Sequence, residues 1–198
     1  MTTRVVQIKC PECNSPITAR QVDMVFVCDA CGVMHTYADG KPVRIEYETA
    51  AVSREAADGR VYLPFWKLDV AFNVKRSKVK GGYLYKLGKF LDRDSSGGRM
   101  AMMLPAFDVA PEKYKELAES LTLEPPAYAV APWDRAAGRV PCIVAAGQTQ
   151  MMADFLFVTI EAEKPGIMQE LDYDLEVKSQ KLVYLPYYKA GGRLEPAY

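Results

Sequence analysis

Hydrophobic and polar positions alternate most cleanly in two stretches of the chain. Leu68, Val70, Phe72 and Val74 alternate with Lys67, Asp69, Ala71, Asn73 and Lys75, the period-two pattern of a strand with one buried face. Leu171, Tyr173, Leu175 and Val177 alternate with Asp172, Asp174, Glu176 and Lys178 in the same way. Between them the period lengthens. Tyr114, Leu117, Ala118 and Leu121 fall at helical spacing, and Pro111 stands at a favoured first helical position. Pro125-Pro126 blocks continuation, so a helix is predicted between these prolines. The segment from Gln148 to Glu163 carries both periods. Met152, Phe155, Leu156, Thr159 and Ile160 make a helical stripe, while Phe155 to Ile160 has strand composition. A short helical start followed by a strand is the expectation there. Nearer the start, Met24 to Val27 is a β run. Val33 to Tyr37 and Val43 to Tyr47 flank Ala38-Asp39-Gly40-Lys41, a hairpin signal. The predicted class is α+β, mainly β.

One phrase recurs. Tyr62-Leu63-Pro64-Phe65-Trp66 returns as Tyr184-Leu185-Pro186-Tyr187-Tyr188, with a weaker copy at Met103-Leu104-Pro105-Ala106-Phe107. A proline cannot donate to a sheet ladder, so it belongs at an edge, a bulge or a strand start. The recurrence therefore suggests one strand-entry geometry used repeatedly. A fourth copy is absent near residue 144, where only Val140-Pro141-Cys142-Ile143 stands.

Charge changes this picture locally rather than globally. Lys+Arg and Asp+Glu are equal at 25 each, so no net field draws the chain to nucleic acid or membranes. The charges are nevertheless partitioned. Lys67 to Arg99 holds nine basic residues against three acids, and Asp154 to Glu176 holds seven acids against one lysine. Phe65, Trp66, Phe72, Tyr83, Tyr85 and Phe90 are interleaved with the basic residues, a composition that suits single-stranded nucleic acid. Lys75, Arg76, Lys78, Lys80, Tyr83 and Tyr85 are the candidate contacts. The competing and favoured expectation is that the basic and acidic stretches satisfy each other across a sheet.

The cysteines carry the sharpest chemistry. Cys10-Pro11-Glu12-Cys13 and Cys28-Asp29-Ala30-Cys31 are two Cys-x-x-Cys pairs with 14 residues between them. A two-residue spacer lets both sulfurs of a pair turn onto one ion, which makes Cys10, Cys13, Cys28 and Cys31 a candidate tetrahedral zinc site. The curl after each second cysteine often needs positive φ, and Asn14 and Gly32 stand in those places. Four thiolates would close the coordination sphere, so the zinc is expected to be one structural ion rather than a catalytic one. The only histidine, His35, is expected to be a hairpin side chain. With the short β runs between and after them, the two knuckles resemble the zinc ribbon, a fold shared by many proteins of transcription, replication and RNA processing. The resemblance covers residues 1–47 and rests on the four cysteines, Pro11 and Gly32. A module this small has little core, so metal binding would supply most of its folding free energy.

The resulting division is a ribbon over 1–47, a small polar connector over 48–59 with room for one helical turn after Ser53, and a β-rich α+β domain over 60–198. The chain has no Gly-x-x-x-x-Gly-Lys-Ser/Thr, Gly-x-Ser-x-Gly, His-Glu-x-x-His or Gly-x-Gly-x-x-Gly motif. Gly81-Gly82 and Gly97-Gly98 read as loop punctuation. Cys142 reads as a buried free thiol. Asp92, Asp94 and the acids of 170–176 have no geometry that would fix a cation. The longest uncharged run, Val140 to Ala153, is 14 residues, too short to span a bilayer. No apolar signal region precedes Cys10, and four of the five cysteines have metal spacing, which points to a reducing compartment, the cytoplasm. The expected role is a non-enzymatic protein-interaction or scaffold module, self-association included. Nucleic-acid binding through 67–99 is the alternative.

Overall fold

Strand alternation in the two clearest stretches produces the two longest elements. The computed structural model describes residues 8–17, 22–38, 40–54, 59–79, 87–92, 96–134, 136–162, 168–190 and 193–198. β1 (Val25–Val27), β2 (Met34–Ala38) and β3 (Lys41–Arg44) form a three-stranded antiparallel sheet. β4 (Tyr47–Thr49), β5 (Arg60–Val79), β6 (Gly97–Pro105), β7 (Gly138–Arg139), β8 (Met168–Ala190) and β9 (Arg193–Pro196) form the second sheet. Its central path runs β4-β8-β5-β6, with β7 beside β5 and β9 beside β8. The helices are α1 (Pro111–Leu123) and α2 (Thr149–Ala162). The chain is thus mainly β with two helices, and no described helix is long and apolar enough to cross a membrane.

β5 and β8 pair antiparallel from Arg60↔Tyr188 to Val79↔Met168. Their side chains supply two cores, one on each face. Tyr62, Trp66, Leu68, Val70 and Phe72 of β5 join Leu182 and Tyr184 of β8 in the first. Val61, Leu63 and Phe65 join Val183, Leu185 and Tyr187 in the second. A register shift lets β8 serve the first core on both sides of a bulge, from Leu171 to Tyr184. Asp69 pairs with Ser179 and Val70 with Val177, so Lys178 is the extra residue of a bulge. Odd-numbered residues from Leu171 to Val177 and even-numbered Leu182 and Tyr184 thereby reach the same core.

The two full copies of the recurring phrase lie opposite one another. Tyr62 pairs with Pro186, Leu63 with Leu185 and Pro64 with Tyr184. The expectation of proline at an edge, bulge or strand start therefore differs from what is found, since both strands are central. The reason is which way the missing N–H points. The Pro64 carbonyl accepts from Ala106 N–H at 2.9 Å and the Pro186 carbonyl from Ala197 N–H at 3.0 Å. N and O of one strand residue face the same neighbour. Each proline nitrogen thus faces outward, where β6 ends at Pro105 and β9 ends at Pro196, and no β5–β8 hydrogen bond is lost. Pro105 does close its strand.

α1 begins at Pro111 and ends two residues before Pro125, as the pattern predicts. The segment after Gln148 does not. It is helical through Ala162, with no strand portion. Ala153, Leu156, Phe157 and Ile160 are buried, and this stripe packs on the first core, where Phe157 meets Phe72 and Tyr173. Burial of that face overrides the local β preference of Phe-Leu-Phe-Val-Thr-Ile.

Gly97 and Gly98 open β6 rather than marking a loop. A Cβ on Gly98 would lie 2.0 Å from the Phe90 carbonyl oxygen and 3.0 Å from the Phe72 ring, so close backbone approach demands glycine there. Residues 47–49, at the junction of the expected ribbon and connector, add β4 to the second sheet beside Leu182 to Tyr184. Lys67 and Lys181 face each other in register. Glu48 of β4 accepts from Lys181 and from Tyr128, whose hydroxyl also receives Lys67 at 3.4 Å. The helical turn expected after Ser53 lies outside the described residues.

Candidate metal centre

Two loops of the same shape bring the four cysteines together. Cys10 N–H donates to the Ser15 carbonyl at 2.9 Å, and Asn14 N–H donates to the Cys10 carbonyl at 2.8 Å. Cys28 N–H donates to the Val33 carbonyl at 3.0 Å, and Gly32 N–H to the Cys28 carbonyl at 2.7 Å. The offsets are identical in the two knuckles. Asn14 has φ 59° and Gly32 φ 77°, the left-handed conformation expected of both positions. A short bridge between Lys9 and Pro16 closes the first knuckle, and β1 and β2 carry the second.

All four sulfurs lie within 4.8 Å of one another. Cys10 Sγ is 3.6 Å from Cys31 Sγ, and Cys13 Sγ is 3.5 Å from Cys28 Sγ, so each short pair spans both knuckles. Tetrahedral thiolates with metal–sulfur bonds of about 2.3 Å stand about 3.8 Å apart, so the cluster fits a four-coordinate ion. Cys10 and Cys28 are buried, Cys31 is half-buried and Cys13 is exposed. Hydrogen bonds from the side chain and backbone of Ser15 lower the Cys13 thiol to about 6, against burial. Cys31 moves the other way. The Val33 backbone pulls it down, but burial and the three neighbouring sulfurs outweigh that and push it up to about 12. Cys13 thus forms its thiolate readily, and Cys31 resists ionisation until a cation offsets the crowded charge.

His35 is fully buried on β2, more deeply than a hairpin side chain need be, and its Nε2 is 3.8 Å from Cys10 Sγ. Burial lowers its pKa, so the neutral ring can donate to a Cys10 thiolate as an outer partner of the site. Among the described residues, the apolar cluster at the site is Ile8, Ile17 and Phe26 with Cys10, Cys28 and Cys31.

A buried ion pair that sequence patterns do not reveal fastens this module to the second sheet. Asp23, 5% exposed, accepts from Arg139 Nη2 at 2.6 Å, from Cys142 N–H at 3.0 Å and from Val25 N–H at 3.2 Å. Arg139 also donates to the Val25 carbonyl at 2.9 Å, and Met24 N–H donates to the Cys142 carbonyl at 2.6 Å. An isolated acid before a β run and an arginine 116 residues later carry no local signal of partnership. Cys142 itself is buried, and burial pushes its thiol up to about 12. It has the environment of an inert thiol.

The basic stretch meets the acidic one. Lys75 pairs with Asp174 at 2.6 Å and Arg76 with Glu170 at 3.3 Å across the β5–β8 ladder. The hydrogen bond to Asp174 raises Lys75 above the usual lysine range. Arg99 pairs with Asp69. Phe65, Trp66 and Phe72 are buried in the cores. The side chain of Lys78, and Lys80, Tyr83 and Tyr85 entirely, lie outside the described residues. No family model, no curated protein and no solved structure matches this chain.

Proposed function

We propose that the protein is a zinc-stapled interaction module: an amino-terminal zinc ribbon that holds one structural zinc ion and is fastened to a β-rich body that docks onto a protein partner. The observation that carries the reading is the convergence of all four cysteine sulfurs within 4.8 Å. A set of four soft thiolates suits zinc and leaves no position for substrate, which supports a structural ion. The small apolar cluster around the site supports metal binding as the source of the ribbon's folding free energy. A reducing compartment such as the cytoplasm would keep these thiols available.

The docking half of the proposal moves from where the sequence pattern put it. Tyr62, Trp66, Tyr184, Tyr187 and Tyr188 of the recurring phrase are buried core residues, so the aromatic-rich sheet is not an open surface. Large apolar side chains exposed elsewhere include Met151 and Phe155 on one helix, which supports docking through α2. Nucleic-acid binding through 67–99 remains the rival, and pairing of Lys75 and Arg76 with acids weighs against it.

Elemental analysis of protein purified after metal-replete expression tests the first half. One zinc per chain is expected, falling sharply in Cys10→Ser and Cys28→Ser. Substoichiometric zinc in the unaltered protein, or full loading in both variants, defeats the proposal.

A further inference from the structure

We infer that the groove between α1 and α2 receives an amphipathic segment of a partner protein, apolar along one side and basic along the other. This rests on the interaction-module reading and gives that module its surface and the chemistry of its partner. The groove encloses about 610 Å³ and is walled by Phe107, Val109, Tyr114, Ile143, Met152 and Phe155. That is room for several apolar side chains. Its α2 rim is unlike an ordinary solvent face. Phe155 is 61% exposed and Met151, four residues earlier, is 67% exposed. The helix already buries Ala153, Leu156, Phe157 and Ile160 in the first core. Met151 and Phe155 therefore form a second apolar stripe that folding of this chain does not cover.

Charge selects the class of occupant. On the α1 side the groove runs into a second depression lined by Glu112, Glu116, Glu119 and Glu124, and the two share Glu112 and Lys115. With Asp108 on the groove wall, five acids and Lys115 form the combined lining; Lys113 already engages Glu116 at 2.8 Å, and Asp108, Glu112 and Glu124 still leave the lining acidic. A neutral apolar ligand would gain nothing from these acids, and an acidic peptide would be repelled. Basic residues flanking apolar anchors complement both depressions at once.

The test is selection of displayed random peptides on the full zinc-loaded chain, followed by fluorescence anisotropy with the enriched peptides. The expected peptides carry apolar residues at helical spacing together with Lys or Arg. Phe155→Ala should weaken them by about tenfold or more, as loss of an anchoring aromatic does. Asp108→Lys with Glu112→Lys should weaken them to a similar degree and flatten the salt dependence. Enriched peptides that are acidic, or that bind Phe155→Ala as tightly as the unaltered chain, overturn the groove and leave the module reading standing. A Phe155-dependent dimer makes a second copy the occupant and overturns the heterologous partner. No enriched peptide from a monomeric, fully zinc-loaded chain removes both the groove and the docking half of the module reading.

Discussion

Replacing Asp23 by Ala should weaken the hold between the metal-bearing sheet, whose Val25 and Met34 also pack in the first core, and the rest of the protein. The carboxylate is 5% exposed and meets one guanidinium and two backbone N–H groups at 2.6 to 3.2 Å. Arg139, whose side chain is 16% exposed, would be left as a largely buried cation with no carboxylate against it, the Val25 carbonyl being its remaining hydrogen-bond acceptor among the described residues. Breaking a buried pair by removing one partner costs about 3–5 kcal/mol. The N–H groups of Val25 and Cys142 would also lose their acceptor, at about 1–3 kcal/mol each if water cannot reach them. These contributions overlap, so about 4 kcal/mol is the working figure, a large part of a typical stability of about 5–15 kcal/mol. Urea denaturation of zinc-loaded protein, followed by near-ultraviolet circular dichroism, measures it. The companion variant Asp23→Ala/Arg139→Met removes both charges and should recover about 1–3 kcal/mol relative to Asp23→Ala alone, because no charge is left uncompensated. A loss below about 1 kcal/mol for the single variant would refute the account, since it would place the pair with exposed ion pairs that contribute little. A double variant as unstable as the sum of the two singles would refute it equally.

Phe157→Ala should cost about 3–5 kcal/mol as a core truncation, whereas Phe155→Ala should stay within about 0.5 kcal/mol; equal losses on thermal denaturation would contradict the two faces assigned to α2. Gly98→Ala forces a Cβ toward the Phe90 carbonyl and should destabilise by about 1–3 kcal/mol, so an unchanged melting midpoint would be contrary evidence. Metal affinity, followed by competition with a chromophoric chelator, should weaken as pH falls. Ligand thiols must be deprotonated to bind, and Cys13, at about 6, regains its proton below that pH; a flat profile between neutral pH and pH 5 would count against thiolate ligation. Labelled single-stranded oligonucleotide should bind weakly even at low salt because Asp174 and Glu170 already engage Lys75 and Arg76; tight binding with a steep salt slope, lost on replacing Lys75, Arg76, Lys78 and Lys80 by Ala, would restore the rival function.

The sequence by itself determined the features whose causes are local. Cys10, Cys13, Cys28 and Cys31 announce their convergence because a two-residue spacer and a residue tolerant of positive φ suffice to build a knuckle, and Asn14 and Gly32 have that conformation. The stop and start prolines of α1 act within one turn, so its limits were legible. Alternation along 67–75 and 171–178 marked the strands because burial of one face has a two-residue period. What only the tertiary structure decided depends on partners far away in the chain. The segment 149–162 reads equally well as helix or strand until Phe72 and Tyr173 supply a surface that its Ala153–Phe157–Ile160 stripe can cover. Pro64 and Pro186 stand in central strands because Ala106 and Ala197 meet them from outside, a relation between segments 42 and 11 residues apart that no window of sequence displays. The bulge at Lys178 is a matter of register between β5 and β8, strands that are more than a hundred residues apart at that point. Asp23 and Arg139 are ordinary charges in sequence, and they become one buried pair only when folding excludes water from both, which is when the Coulomb attraction between them grows strong enough to matter.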